Sequence, residues 1–304
     1  MPLLIRAAEG RLTLGVVVLA STFLMGSSFV SGKILLNEGF PPFLLVGWRF
    51  FVAAIATLPL LWLQGDSLFQ ALFPRHLSAR QAGIVALIGL AQTTAVMSLL
   101  FMAMRTIPAS TAAILLFTNP VWVALGARLF FAEPLTLGRW LGLVAGVVGI
   151  VLAIGTDVSL SSDPQTLQGF AYGVGSALCW AAATLINKRS HLPMGVWALS
   201  FWQMFIGSLV VLVLAGLAGE RWPVHTTASQ WGWFLWLAIP ASTGSFGLWF
   251  VALKQGNASR VSGYLFFAPL FAVLLSFAVL NTQLSWLQGM GGLLIALSIW
   301  RVNR

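Results

Sequence analysis

Arg49 is the one charge that falls well inside an apolar stretch of this chain. A guanidinium in such surroundings can meet a carboxylate through two parallel hydrogen bonds. The plainer alternative is that Arg49 snorkels toward an interface or holds a backbone carbonyl near Trp48. The acids are Glu9, Glu38, Asp66, Glu133, Asp157, Asp163 and Glu220, and all seven fall in loops or tails. The histidines, His76, His191 and His225, fall in loops as well. No acid or imidazole in the middle of an apolar segment can therefore relay a proton. No acidic pair suits metal or diphosphate chemistry, and no serine has a histidine beside it in an apolar segment to activate it. The single cysteine, Cys179, lies in an apolar run, which leaves no disulfide framework and no thiolate metal site. An enzyme, a metal and a cofactor are all unexpected.

Aromatic and small polar residues are the remaining candidates. Eight of the fourteen tryptophans fall near the ends of apolar segments, where interfacial belts are expected; Trp48, Trp122, Trp180, Trp202, Trp236 and Trp249 do not. Helical spacing sets Met25 with Ser21 and Ser28, Trp180 with Ser176, and Trp249 with Ser242 and Ser245. Asn119 stands beside Pro120 and Trp122, and Tyr264 precedes Pro269. With Arg49 and Thr94, the residues Met25, Ser28, Asn119, Trp122, Trp180, Ser245, Trp249 and Tyr264 form the expected lining of a cavity for an aromatic or apolar zwitterion. Ordinary helix packing, with small residues at the seams, is the alternative. Pro120 and Pro269 each remove a backbone hydrogen bond inside a segment and are the expected hinges. Lys33 and Lys188 read as interface anchors, and Glu133 as a helix-end partner of Arg139.

These residues must be carried by membrane-spanning helices. The chain is 59% hydrophobic and 8% charged, with a mean hydropathy of +0.93. A soluble domain carries about 25% charge. The net charge of +9 comes from single Lys and Arg residues between apolar segments, with no basic run, so nucleic acid is not an expected partner. The N-terminal apolar stretch is too long for a signal peptide and reads as the first span. Ten segments can cross a bilayer: 12–32, 43–63, 82–104, 109–130, 137–155, 168–187, 195–217, 232–253, 258–280 and 284–301. With the N-terminus cytoplasmic, 12 of the 16 Lys and Arg lie inside and three outside. Both termini are then expected in the cytoplasm.

The stretch from Ala109 to Gly142 has an echo 149 positions later, from Ala258 to Gly291. Ala109 falls on Ala258, Phe117 on Phe266, Pro120 on Pro269 and Gly142 on Gly291; Thr94 falls on Thr243. Earlier pieces align at slightly larger offsets, Lys33 with Lys188 and Arg49 with Gln203. This register implies an internal duplication of five spans, residues 1–160 and 161–304. Five is odd, so the second copy enters the membrane inverted. Inverted repeats are a signature of transporters that alternate access around a central site.

Several motifs carry a resemblance. They are Gly26-Ser27-Ser28-Phe29, Arg49-Phe50, Asn119-Pro120, Phe131-Ala132-Glu133-Pro134-Leu135-Thr136 before Trp140-Leu141-Gly142, and in the second copy Ala177-Leu178-Cys179-Trp180 and Pro269 with Leu284-Ser285. In their order and spacing the chain resembles the drug/metabolite transporter superfamily, EamA-type ten-helix exporters, and within it the aromatic amino acid exporters of the YddG type. Met25 stands where the family often has Trp, and Thr282 where the second copy usually has Glu. The resemblance implies an all-α bacterial inner-membrane exporter whose cavity is lined by spans 1, 3, 4, 6, 8 and 9. Its partners are a small-molecule substrate, amino acids first, and the lipid bilayer. The absence of a buried acid favours facilitated export. A proton-coupled exporter of amphipathic drugs or metabolites is the alternative, and a non-transporting membrane scaffold is the alternative of another class. The glycines around Gly146 and Gly291 serve close helix packing or a dimer contact, leaving monomer and homodimer both open.

Overall fold

The computed structural model describes residues 14–63, 67–132, 137–158, 163–190, 192–255, 267–281 and 285–302. These residues are helical throughout, with no strand among them. The helices are α1 (Leu14–Asn37), α2 (Pro42–Trp62), the short α3 (Leu68–Leu72), α4 (Ala79–Gly89), α5 (Val96–Thr106), α6 (Ala109–Leu116), α7 (Asn119–Phe131), α8 (Leu137–Val158), α9 (Pro164–Ser190), α10 (Val196–Leu217), α11 (Ala228–Ala238), α12 (Ser245–Gln255), α13 (Phe267–Leu280) and α14 (Trp286–Val302). A π-helical stretch, Leu90–Ala95, joins α4 to α5, and a second, Ile239–Gly244, joins α11 to α12.

Helix is the only local answer that apolar runs of this length allow. In hydrocarbon every amide must find its partner within the segment. The 24 residues of α1 rise about 36 Å, enough to cross a hydrocarbon core of about 30 Å. Six helical rods are long and apolar enough to span by themselves: Leu14–Asn37, Pro42–Trp62, Ala79–Thr106, Ala109–Phe131, Pro164–Ser190 and Val196–Leu217. The other four predicted spans correspond to α8, to α11 and α12 with their π stretch, to α13 and to α14. The chain is thus an all-α, multi-pass membrane protein.

Helix α1 runs farther than expected. It continues to Asn37, so Lys33 lies within the helix instead of at a span end. The fourth span, by contrast, is broken. Helix α6 stops at Leu116 and α7 starts at Asn119, with Pro120 in its first turn. There the missing proline N–H would have had no helical partner anyway. The carbonyl of Leu115 at the break accepts from the Thr118 hydroxyl (2.6 Å). Pro120 therefore does not occupy the mid-helix kink expected from the sequence. Pro269 lies in α13, and residues 256–266 before that helix lie outside the described ones.

The 149-residue register recurs in the backbone. The capping box Ser78–Gln81 is matched by Thr227–Gln230, and the π stretch Leu90–Ala95 by Ile239–Gly244. Ala132, left-handed after α7 (φ 53°), is matched by Asn281 after α13 (φ 51°). The most extensive packing always joins an element before residue 160 to one after it. Helix α8 lies along α14, α2 along α10, α1 against α13 and α12, and α9 against α5. The largest buried cluster, with Phe101, Leu45, Met104, Leu115 and Met204, lies in this seam.

Two glycines permit the closest approaches to another helix's backbone. A Cβ on Gly26 would stand 2.7 Å from the Ala268 carbonyl oxygen, where α1 meets α13. One on Gly207 would stand 2.7 Å from the Gly89 carbonyl oxygen, where α10 meets the third span. Backbone cannot yield as a flexible side chain can. Gly26→Ala is therefore expected to destabilise the protein by roughly 1–3 kcal/mol and lower its unfolding temperature in detergent. Gly216→Ala, in α10 with nothing within 4 Å, should leave it unchanged or raised. Thermal unfolding of both variants beside the parent checks this.

Candidate functional site

Arg49 is buried, 4% exposed, so it does not snorkel. Its Nε–H donates to the hydroxyl of Ser242 (2.9 Å), which donates in turn to the Leu237 carbonyl (2.8 Å). The guanidinium carbon lies 4.6 Å from the Phe50 ring centre and 5.7 Å from that of Phe101. Among the described residues no hydrogen bond engages its two terminal nitrogens. Helix α2 and the π stretch of the eighth span thus fix the base of the fork. A guanidinium held at Nε keeps two terminal N–H groups that can pair with a carboxylate.

The π stretches explain why these spans meet here. In the second, Thr243 donates its hydroxyl to the Ala53 carbonyl of α2 (2.9 Å). In the first, Thr94 does the same to the Gly207 carbonyl of α10 (3.0 Å). These are the same clasp at positions 149 apart in the third and eighth spans. Only one clasp has an arginine, since Gln203 stands at the position that aligns with Arg49. Thr94, expected in the cavity wall, serves this contact between helices.

From Arg49 a line of aromatic rings crosses the bundle. Phe101 packs under Gly32 of α1. One turn back on α1, Phe29 lies 6.1 Å from Phe117, at the break in the fourth span, and Phe117 lies 5.8 Å edge-on from Trp180 of α9. Asn119 follows the break. It is 9% exposed, and its amide makes no hydrogen bond among the described residues, which leaves that amide available to a ligand or water.

The other candidates are less available. The Trp122 N–H donates to Thr118 Oγ (3.1 Å). The Ser28 hydroxyl donates to the Met25 carbonyl (2.7 Å), and Met25 packs on the core beside Trp180. Ser245 is buried and donates to the carbonyls of Ala241 and Ser242, both at 2.9 Å. Trp249 packs on Val17 and Val18 of α1. Tyr264, Glu133 and His191 lie outside the described residues, as does the side chain of Arg139. Trp236 donates to the Ser27 hydroxyl (2.9 Å) and Trp202 to the Leu72 carbonyl (2.9 Å), so both indoles tie helices together.

Two charged residues act as fasteners that span lengths did not disclose. Lys33 donates to the carbonyls of Met104 and Ile107, closing the C-terminal end of α5. Glu220 accepts from the amides of Phe43 (3.4 Å) and Leu44 (2.7 Å) at the start of α2. Each charge sits at the helix end whose dipole it complements. Among the described residues no group of three or more His, Cys, Asp or Glu could hold a metal.

Two substitutions separate a fastener from a ligand-facing group. Thr243→Val deletes a hydrogen bond between helices and should cost about 0.6 kcal/mol, the average for such bonds in membrane helices. Asn119→Leu deletes an amide that makes no hydrogen bond among the described residues and should leave stability unchanged or raised. Unfolding temperatures in a single detergent compare the two.

Comparison with known proteins agrees with this architecture. The EamA-like transporter family matches twice, at residues 13–155 and 167–304. The uncharacterized transporter YoaV of Bacillus subtilis is 25% identical over 93% of this chain and 94% of its own length. The inner membrane transporter YedA of Escherichia coli K12 is 24% identical over 83% and 78%. One solved crystal structure superposes with a TM-score of 0.66, covering 94% of this chain and 95% of its own at 17% identity, a likeness of fold. Similarity to transporters along nearly the whole length, on a multi-pass all-α bundle, leads to one conclusion: the chain belongs to the EamA-like transporter family.

Proposed function

We propose that this transporter exports small zwitterions with an apolar or aromatic side chain, aromatic amino acids first, from the cytoplasm across the bacterial inner membrane. The observation that carries the proposal is Arg49: buried, held at Nε by Ser242, with both terminal nitrogens free of hydrogen bonds among the described residues. A carboxylate fits that fork. The rings of Phe29, Phe117 and Trp180 suit the side chain, and the Asn119 amide suits a polar group of the same molecule.

Alternating access follows from two inverted halves, residues 1–160 and 161–304. The recurrence of caps, π stretches and threonine clasps at one spacing supports this reading, as does packing that joins the halves along their length. In each half a threonine clasps the third span to the second span of the other half, and at one of the two seams Arg49 adds a bond to Ser242. Rocking one half against the other exchanges which end is closed. The break before Pro120 and its counterpart position Pro269 are the proposed hinges. No carboxylate or imidazole enters this scheme, so transport runs down the substrate gradient.

Flux of labelled phenylalanine in liposomes containing the pure protein tests the proposal. Saturable flux is expected, unchanged when the pH gradient is collapsed; strict dependence on that gradient would overturn the facilitated mechanism. Arg49→Lys keeps the charge but loses the fork, and should reduce flux about tenfold or more, in line with about 1.5–3 kcal/mol for a hydrogen bond to a charged group. If Arg49→Lys and Trp180→Ala both transport normally, the site is elsewhere. Equal flux of aromatic amino acids and unrelated amphipathic drugs would point to the broader exporter.

A further inference from the structure

A cavity of about 580 Å³ lies to one side of the aromatic line, between the fourth span, α13 and α14. Its wall includes Ile114 and Phe117, then Pro269 and Val273, then Gly289 and Gly292. Almost all of that wall is apolar. Gln288 is its polar side chain, at the end where α14 begins, and it pairs there with Ser285 and Thr111. Leu270 and Leu293 also line the cavity and are 48% and 63% exposed on the outer surface of the bundle. In a membrane-spanning bundle that surface meets lipid.

The chain's own register shows why the space exists. Gly289 and Gly292 stand 149 positions after Trp140 and Leu143. The first half therefore carries an indole and an isobutyl group where the second half has hydrogens. A Cβ on Gly289 would meet nothing within 4 Å, and one on Gly292 only the end of Ile114 at 3.9 Å. Close helix contact does not require these glycines; their effect is to leave volume. An apolar cavity of about 150 Å³ already takes up a benzene ring and stays free of water. One nearly four times larger, continuous with a lipid-facing surface, does not stay empty in a bilayer, because its lining would forgo its dispersion contacts.

We infer that this cavity is a binding site for one acyl chain of a bilayer lipid, inserted between α13 and α14 with its head group toward the Gln288 end. The chain terminus then reaches Phe117, whose other face meets Phe29 and Trp180. A bound lipid supports the ring that walls the proposed substrate site, although the lipid site does not depend on that proposal.

The test uses the intact protein in nanodiscs with a phosphatidylglycerol carrying a diazirine midway along one acyl chain. After photolysis, peptide mapping should give crosslinks on α13 and α14 at least tenfold above those on Val213 of the exposed α10 face. Gly289→Trp, which installs the first half's residue, should remove that excess. Gly292→Leu should do the same if Gly289→Trp fails to fold. Labelling no stronger than at Val213 would overturn the inference. So would an excess that survives in a folded filled variant, or one abolished by saturating phenylalanine, which would assign the cavity to the substrate path.

Discussion

Inside a bilayer no water is available to satisfy a backbone group that leaves the helical pattern, and the architecture of this protein follows from that constraint. The described departures from α-helix within the spans coincide with side-chain hydrogen bonds to the backbone. At the break in the fourth span the Thr118 hydroxyl closes on the Leu115 carbonyl. At the π stretches Thr94 and Thr243 carry hydrogen bonds across to α10 and α2. π-helical turns often mark functional positions, because they turn side chains out of the regular stripe. Here the second one presents Ser242 to Arg49.

The same constraint sorts the polar side chains into two groups. Most hydroxyls have no choice but the nearest carbonyl: Ser28, Ser176 and Ser245 each donate within three or four residues on their own helix. Their donors are committed to the backbone. Arg49 and Asn119 differ, since the terminal nitrogens of the one and the amide of the other make no hydrogen bond among the described residues. Ser98, Trp222 and Ser298 also hold buried polar atoms without a partner there. The proposed function rests on Arg49, Asn119 and the aromatic line.

The recurrence of local structure is close, but the two copies are not chemically equal. One clasp bears Arg49 and the other Gln203; one flank carries Trp140 and the other Gly289. Symmetric motion requires matched seams, and the threonine clasps supply one such match. Specific binding needs the opposite, a lone guanidinium on one side. Departures from the repeat therefore point to ligands more reliably than the repeat itself.

Composition and apolar length by themselves determined an all-helical membrane protein with ten candidate spans, because burying so many apolar residues without charge has one solvent solution. Spacing also disclosed the 149-residue register, Arg49 as the exceptional charge and Trp180 and Asn119 as candidates. The partners were not legible, since a hydroxyl at a given helical position reads the same whether it meets a ligand or its own carbonyl. Thus Thr94, equal in the sequence to Asn119, ties two helices together, while Ser245 turns back on its own helix. Nor could span lengths tell that Lys33 caps α5 or that Glu220 holds the start of α2, contacts between residues about 70 and 177 positions apart. Which polar group remains free is decided only when the helices pack, because satisfaction of a buried group is a property of its neighbours and not of its own residue type.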